Sequence, residues 1–118
     1  MKFLMIFESN PSAPPPSLET LAKLGAHTQK MLASGTVVLT GGVVRPSRGI
    51  QMKNEGGKVT VTDGPFAESK ELIDGFAVVN ANSKEEAIAL STEFLQIAGD
   101  GKGEILQIFE PGEVPPPK

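Results

Sequence analysis

The densest concentration of ionisable and backbone-constraining residues runs Asp63-Gly64-Pro65-Phe66-Ala67-Glu68-Ser69-Lys70-Glu71-Leu72-Ile73-Asp74-Gly75-Phe76. Gly64 can adopt a positive φ, while Pro65 fixes its own φ and disfavours helical backbone before it, so Asp63-Gly64-Pro65 is expected to form a rigid corner. A carboxylate held on a stiff corner beside a cleft suits general-base chemistry or the anchoring of a ligand. The competing reading is an Asx-type turn in which Asp63 accepts amides of its own corner, and the two roles are compatible. Glu68 and Lys70, with Glu71, could frame a polar pocket in which the Lys70 ammonium holds an anion, or could form a solvated rim. Phe66 either plugs the corner onto the core or walls a ligand cavity.

Three further groups carry possible chemistry. His27 is the single histidine and falls at the edge of a helical apolar arc, near Leu24 and Met31. It reads as a boundary residue, with proton shuttling or haem ligation as the sharper alternatives. One histidine without further ligands is poor support for a metal, and neither a metal nor a cofactor is expected. Arg45 and Arg48, flanking Pro46-Ser47, could grip a carboxylate or phosphate through their guanidinium forks, or serve solubility. Gly99-Asp100-Gly101-Lys102-Gly103 lacks the spacing and the Lys-Ser/Thr ending of a phosphate loop, and follows a helix instead of opening one. It reads as a helix-to-strand connector.

Composition bounds what these groups can do. The absence of cysteine excludes disulfides, thiolate nucleophiles and cysteine-held metal clusters. A formal charge of −3 with scattered basic residues, and no Trp or Tyr, argues against a nucleic-acid partner. The opening apolar run Phe3-Leu4-Met5-Ile6-Phe7 is too short for a secretory leader or a membrane span, so a cytoplasmic protein with no membrane partner is expected. A chain of 118 residues is one domain and buries roughly two-thirds of its unfolded surface.

The elements that must position these residues follow from pattern. Lys2 to Glu8, apolar without alternation, reads as a central strand. Asn10 to Pro16 is too rich in proline for a helix and reads as a surface loop. Ser17 caps a helix ended by Gly35, whose arc of Leu18, Leu21, Leu24, Gly25, Thr28, Met31 and Leu32 should pack on a sheet. Thr36 to Val44 is a strand broken by a bend at Gly41-Gly42. Gly49 to Lys53 and Lys58 to Thr62 form a hairpin that delivers the chain to Asp63. Gly75 to Ala81 is a strand, and Ser83-Lys84-Glu85-Glu86 is a capping box opening a helix that stops at Gly99. Glu104 to Glu110 is the last strand.

The order strand, helix, strand, inserted hairpin, strand, helix, strand is a split βαβ pair, the ferredoxin-like α+β plan. Residues 1–110 should form the domain, and residues 111–118 a proline-rich tail. Two helices cover one sheet face and leave the other in need of a partner, which favours a homodimer.

The run DGPFAESKELIDGF resembles the signature of the DGPF-domain branch of the YCII-related proteins. Leu39-Thr40-Gly41-Gly42 leading to Arg45-Pro46-Ser47, and the helix start Ser83-Lys84-Glu85-Glu86-Ala87, resemble it too. The resemblance implies a dimeric α/β barrel and permits a link to alternative sigma factors. It brings no reaction with it. Some relatives are suspected of acid-base or hydrolytic chemistry through a first-helix histidine with a nearby aspartate. Here Leu24 holds that position and His27 lies about one turn beyond, so the dyad is not carried over. The functional expectation is a small organic molecule bound in a cleft near Asp63, with Asp63 and then His27 as candidates for cofactor-free acid-base catalysis. The rival is a non-catalytic ligand sensor or interaction module.

Overall fold

A computed structural model describes residues 1–10, 14–43, 49–64 and 73–113. Strand β1 (Lys2–Ser9) lies inside a four-stranded antiparallel sheet with helix α1 (Leu18–Ala33), β2 (Val37–Gly42), β5 (Ile73–Asn80), α2 (Lys84–Ala98) and β6 (Gly101–Ile108) around it. The strand order is β2-β5-β1-β6, that of the ferredoxin-like plan. Strands β3 (Ile50–Glu55) and β4 (Lys58–Asp63) pair only with each other, as the inserted hairpin.

Local chemistry sets the element ends. The Ser17 hydroxyl accepts from the Thr20 amide at 3.1 Å, and Gly35 closes α1 with φ 77°. At α2 the Ser83 hydroxyl accepts from the Glu86 amide at 3.1 Å. The Glu86 carboxylate reaches back to the amide of Asn82 at 3.2 Å, one residue beyond the expected reciprocal partner. Gly56 and Gly57 both take positive φ, 57° and 82°, and make the hairpin a tight two-residue turn between Glu55 and Lys58.

The sheet's helix-facing side carries the core. Phe3 and Val79 are buried against Ala81 and Ala87, with Met5, Val37, Ala77, Leu90 and Ile105 packed around them. Helix α1 contributes no buried residue. It leans on α2 and the edge strand β2, so its apolar arc covers the sheet only in part: Leu24, Thr28 and Met31 are half-buried, whereas Leu18 is 85% exposed.

Two expected breaks are strand instead. Gly41-Gly42 continues β2, and Gly101-Lys102-Gly103 begins β6, where Gly101 pairs with Ser9 and Gly103 with Phe7. Glycine is required there by packing: a Cβ on Gly101 would stand 2.6 Å from the Glu8 carbonyl oxygen and 2.7 Å from the Phe7 ring.

Candidate functional site

Residues opposite one another across a sheet point to the same face, so the register sorts the helix-facing side into rows. Val37, Val79 and Phe3 form one row; Thr40, Ala77, Met5 and Ile105 the next; Gly42, Gly75, Phe7 and Gly103 the third. A register shift between Val37 and Leu39 keeps Val37 and Thr40 on one side although they are three residues apart. Side chains therefore shrink in step along three strands, from Val79 through Ala77 to Gly75, from Val37 through Thr40 to Gly42, and from Ile105 to Gly103. Only β1 keeps its bulk, and its Phe7 meets Phe94 of α2 edge-on.

The missing side chains leave a cavity of about 140 Å³ between the sheet and both helices. Its walls are Met5, Phe7, Met31, Ala77, Leu90, Phe94 and Leu95, with Gly75 and Gly103 in the floor. Thr28, Thr36, Thr40 and Ser91 add hydroxyls, and His27 is the one ionisable side chain among the described residues of the lining. The Thr40 hydroxyl donates to the Phe76 carbonyl at 2.9 Å, and that of Thr36 is 2.9 Å from the Ser34 hydroxyl. His27 is half-buried.

Asp63 stands elsewhere. It is exposed at the end of β4, paired with Ile50, and does not line this cavity. The Gly64 amide donates to the Gly49 carbonyl at 3.1 Å and ties the base of the hairpin. Phe66, Glu68, Lys70, Arg45 and Arg48 lie outside the described residues.

Asp74 was passed over as a candidate. It is the extra residue of a bulge, since Phe7 pairs with Gly75 and Glu8 with Ile73, and its Oδ2 accepts the Ser9 amide at 2.7 Å. This side chain pins the end of β1 beside the cavity floor. Its place in the signature was visible in the sequence; the bulge that gives it a role was not. Among the described residues no three acidic or histidine side chains gather as a metal site, and no helix is long and apolar enough to cross a membrane.

The fold and cavity define a ferredoxin-like α+β domain with a pocket under its helices. A family model for the YCII-related domain matches residues 1–110, and the chain belongs to that family. An uncharacterised protein of Rhizobium meliloti (strain 1021) is 28% identical over 95 residues, covering 78% of this chain and 77% of that protein. Among solved structures, the 5-chloro-2-hydroxyhydroquinone dehydrochlorinase of Burkholderia phenoliruptrix AC1100, in complex with 2,5-dihydroxybenzoquinone, superposes with a TM-score of 0.59. The identity is 14%, over 92% of this chain and 94% of that one, and the likeness is one of fold.

Proposed function

We propose that this protein binds a small organic molecule in the cavity between α1, α2 and the sheet, with His27 as the side chain that hydrogen-bonds the ligand or moves its proton. The observation that carries this reading is a single ionisable group, among the described residues, on the wall of a mostly apolar hollow. A fold neighbour that holds a small ring compound supports it by analogy. The test is a metabolite panel screened for thermal stabilisation with His27→Ala in parallel, because a ligand that binds the folded form raises its melting temperature. A ligand that stabilises the parent but not the variant upholds the site, and consumption of that ligand separates an enzyme from a sensor. Stabilisation insensitive to His27→Ala and to filling of the cavity would discard it.

The same reading includes a homodimer built as an α/β barrel. The sheet's outer face carries Leu4, Ile6, Phe76, Val78, Leu39 and Leu106, with Leu39 56% and Leu106 48% exposed. A face of four such strands presents roughly 500 Å² in plan, short of the ~800 Å² per partner of a standard stable interface. The hairpin supplies a second apolar stripe, because Ile50, Met52, Val59 and Val61 share the face of Asp63. Met52 is 68% exposed, and both strands are exposed throughout. In this arrangement the stripe packs on a second copy, and Asp63 reaches a site only through that copy. Light scattering of Leu39→Arg and Leu106→Arg tests it: a dimeric parent and monomeric variants are expected, and a monomeric parent at micromolar concentration would contradict it.

A further inference from the structure

We infer that the ligand of the cavity is a neutral, single-ring aromatic molecule with one small hydrogen-bonding substituent, of the phenol type. This rests on the cavity being the binding site and goes further by specifying size, charge and shape. The volume of about 140 Å³ is close to the ~150 Å³ of an apolar cavity that admits benzene, so a single ring matches the space.

The described walls favour a neutral guest. No Lys, Arg, Asp or Glu lines the cavity among the described residues, so a carboxylate or phosphate would enter without a partner other than the imidazole. Shape follows from the lining. Phe7 and Phe94 meet with ring centroids 5.4 Å apart and planes at 76°, forming a corner, and Met5 and Met31 add thioethers. Rings set edge to face and sulfur atoms near rings both favour a flat π system over a saturated ring of equal volume.

The polar demand is small. The Thr40 and Thr36 hydroxyls are engaged with Phe76 and Ser34. His27, Thr28 and Ser91 on the helix side, with the spare acceptor lone pairs of Thr40 on the sheet, are then the polar side-chain atoms for a guest. The Ser91 hydroxyl stands over Gly103, 3.5 Å from where a Cβ there would lie. One substituent directed at the helices satisfies this wall; a second on the opposite edge would meet Ala77 and Gly75, with only the acceptor lone pairs of Thr40 to serve it.

The experiment uses the full chain. Xenon uptake, followed by 129Xe and methyl NMR, first establishes whether the hollow admits an apolar guest. Phenol, cyclohexanol, benzoate and 2-naphthol are then titrated against the methyl signals of Met5 and Met31. Phenol is expected to compete with xenon and to bind roughly 2- to 12-fold tighter than cyclohexanol, with a weaker response to benzoate and 2-naphthol. Gly103→Leu should abolish the response, and Gly103→Ala, whose new Cβ meets only ordinary contacts, should weaken it in a chain that still folds. No xenon uptake sinks the cavity reading and this inference together. Xenon uptake with no phenol response, or with benzoate or 2-naphthol preferred, overturns the ligand class and leaves the site standing. A phenol response untouched by either Gly103 variant overturns the inference as well, since the phenol is then elsewhere.

Discussion

The ring of Phe7, in the central strand, meets the ring of Phe94, on the second helix, edge to face at 5.4 Å between centroids. This contact bridges sheet and helix where the side chains flanking Phe7 on β5 and β6 have dwindled to glycine, so it helps hold the cavity open against collapse. Phe94→Ala should cost about 2–3 kcal/mol in urea unfolding, somewhat below a fully buried phenylalanine because Phe94 is half-buried. A loss under about 0.5 kcal/mol would show that the helix is held by other contacts.

Two glycines of the same strand should respond in opposite ways to one added methyl group. At Gly101 the Cβ would collide with the Glu8 carbonyl oxygen at 2.6 Å, and backbone cannot step aside as a side chain can. Gly101→Ala is therefore expected to lose about 2 kcal/mol or more. At Gly103 the nearest atoms are 3.5 and 3.6 Å away, so Gly103→Ala should stay within about 1 kcal/mol of the parent. Equal costs for the two would contradict the packing described for β6.

His27 and Asp63 are separable by ligand titration. With His27 on the cavity wall and Asp63 on the hairpin, His27→Ala should weaken binding by about tenfold, as loss of one hydrogen-bond partner does. Asp63→Asn should leave affinity within about twofold. The reverse pattern, measured by calorimetry with the same ligand, would move the site to the hairpin corner.

Acid should act in part through Glu110. Its carboxyl is held below the usual 4.5 by the hydrogen bond and charge of Lys2, 2.5 Å away. A depressed carboxyl contributes stability that is present above its unfolded value and is lost as pH falls through the folded one. Lys2→Met should therefore lower stability at neutral pH and flatten its decline below about pH 4.5, the two chains converging once the pH has fallen through the depressed folded value. Both partners are substantially exposed, so the effect should be small and should shrink in high salt. An unchanged slope in a pH series of urea melts would remove the pair from the stability profile.

Much of this fold was legible as pattern. The unbroken apolar run of β1 and the serine caps of both helices each rest on local physics and stand where that physics put them, and the hairpin formed as expected with its strands reaching Glu55, so that only Gly56-Gly57 turn. The glycines of β2 and β6 were misread because sequence reasoning treats glycine as punctuation, whereas here Gly101 and Gly103 are set by the proximity of β1, which only strand register reveals. The cavity stayed hidden for the same reason. The decline from Val79 through Ala77 to Gly75 is visible in the letters, but its meaning depends on matching declines in two strands far away in sequence. Asp63 stood out because its corner is local; Asp74 did not, because its partner is the backbone of Ser9.

An isolated two-stranded ribbon is barely stable in water, and β3–β4 buries none of its residues within the chain. Its amides therefore sample open states separately from the main sheet and should exchange with solvent deuterium nearly unprotected in dilute solution. Protection of Thr60 and Thr62, whose amides face β3, that grows with protein concentration would read out, residue by residue, how much of the ribbon's order is lent to it from outside.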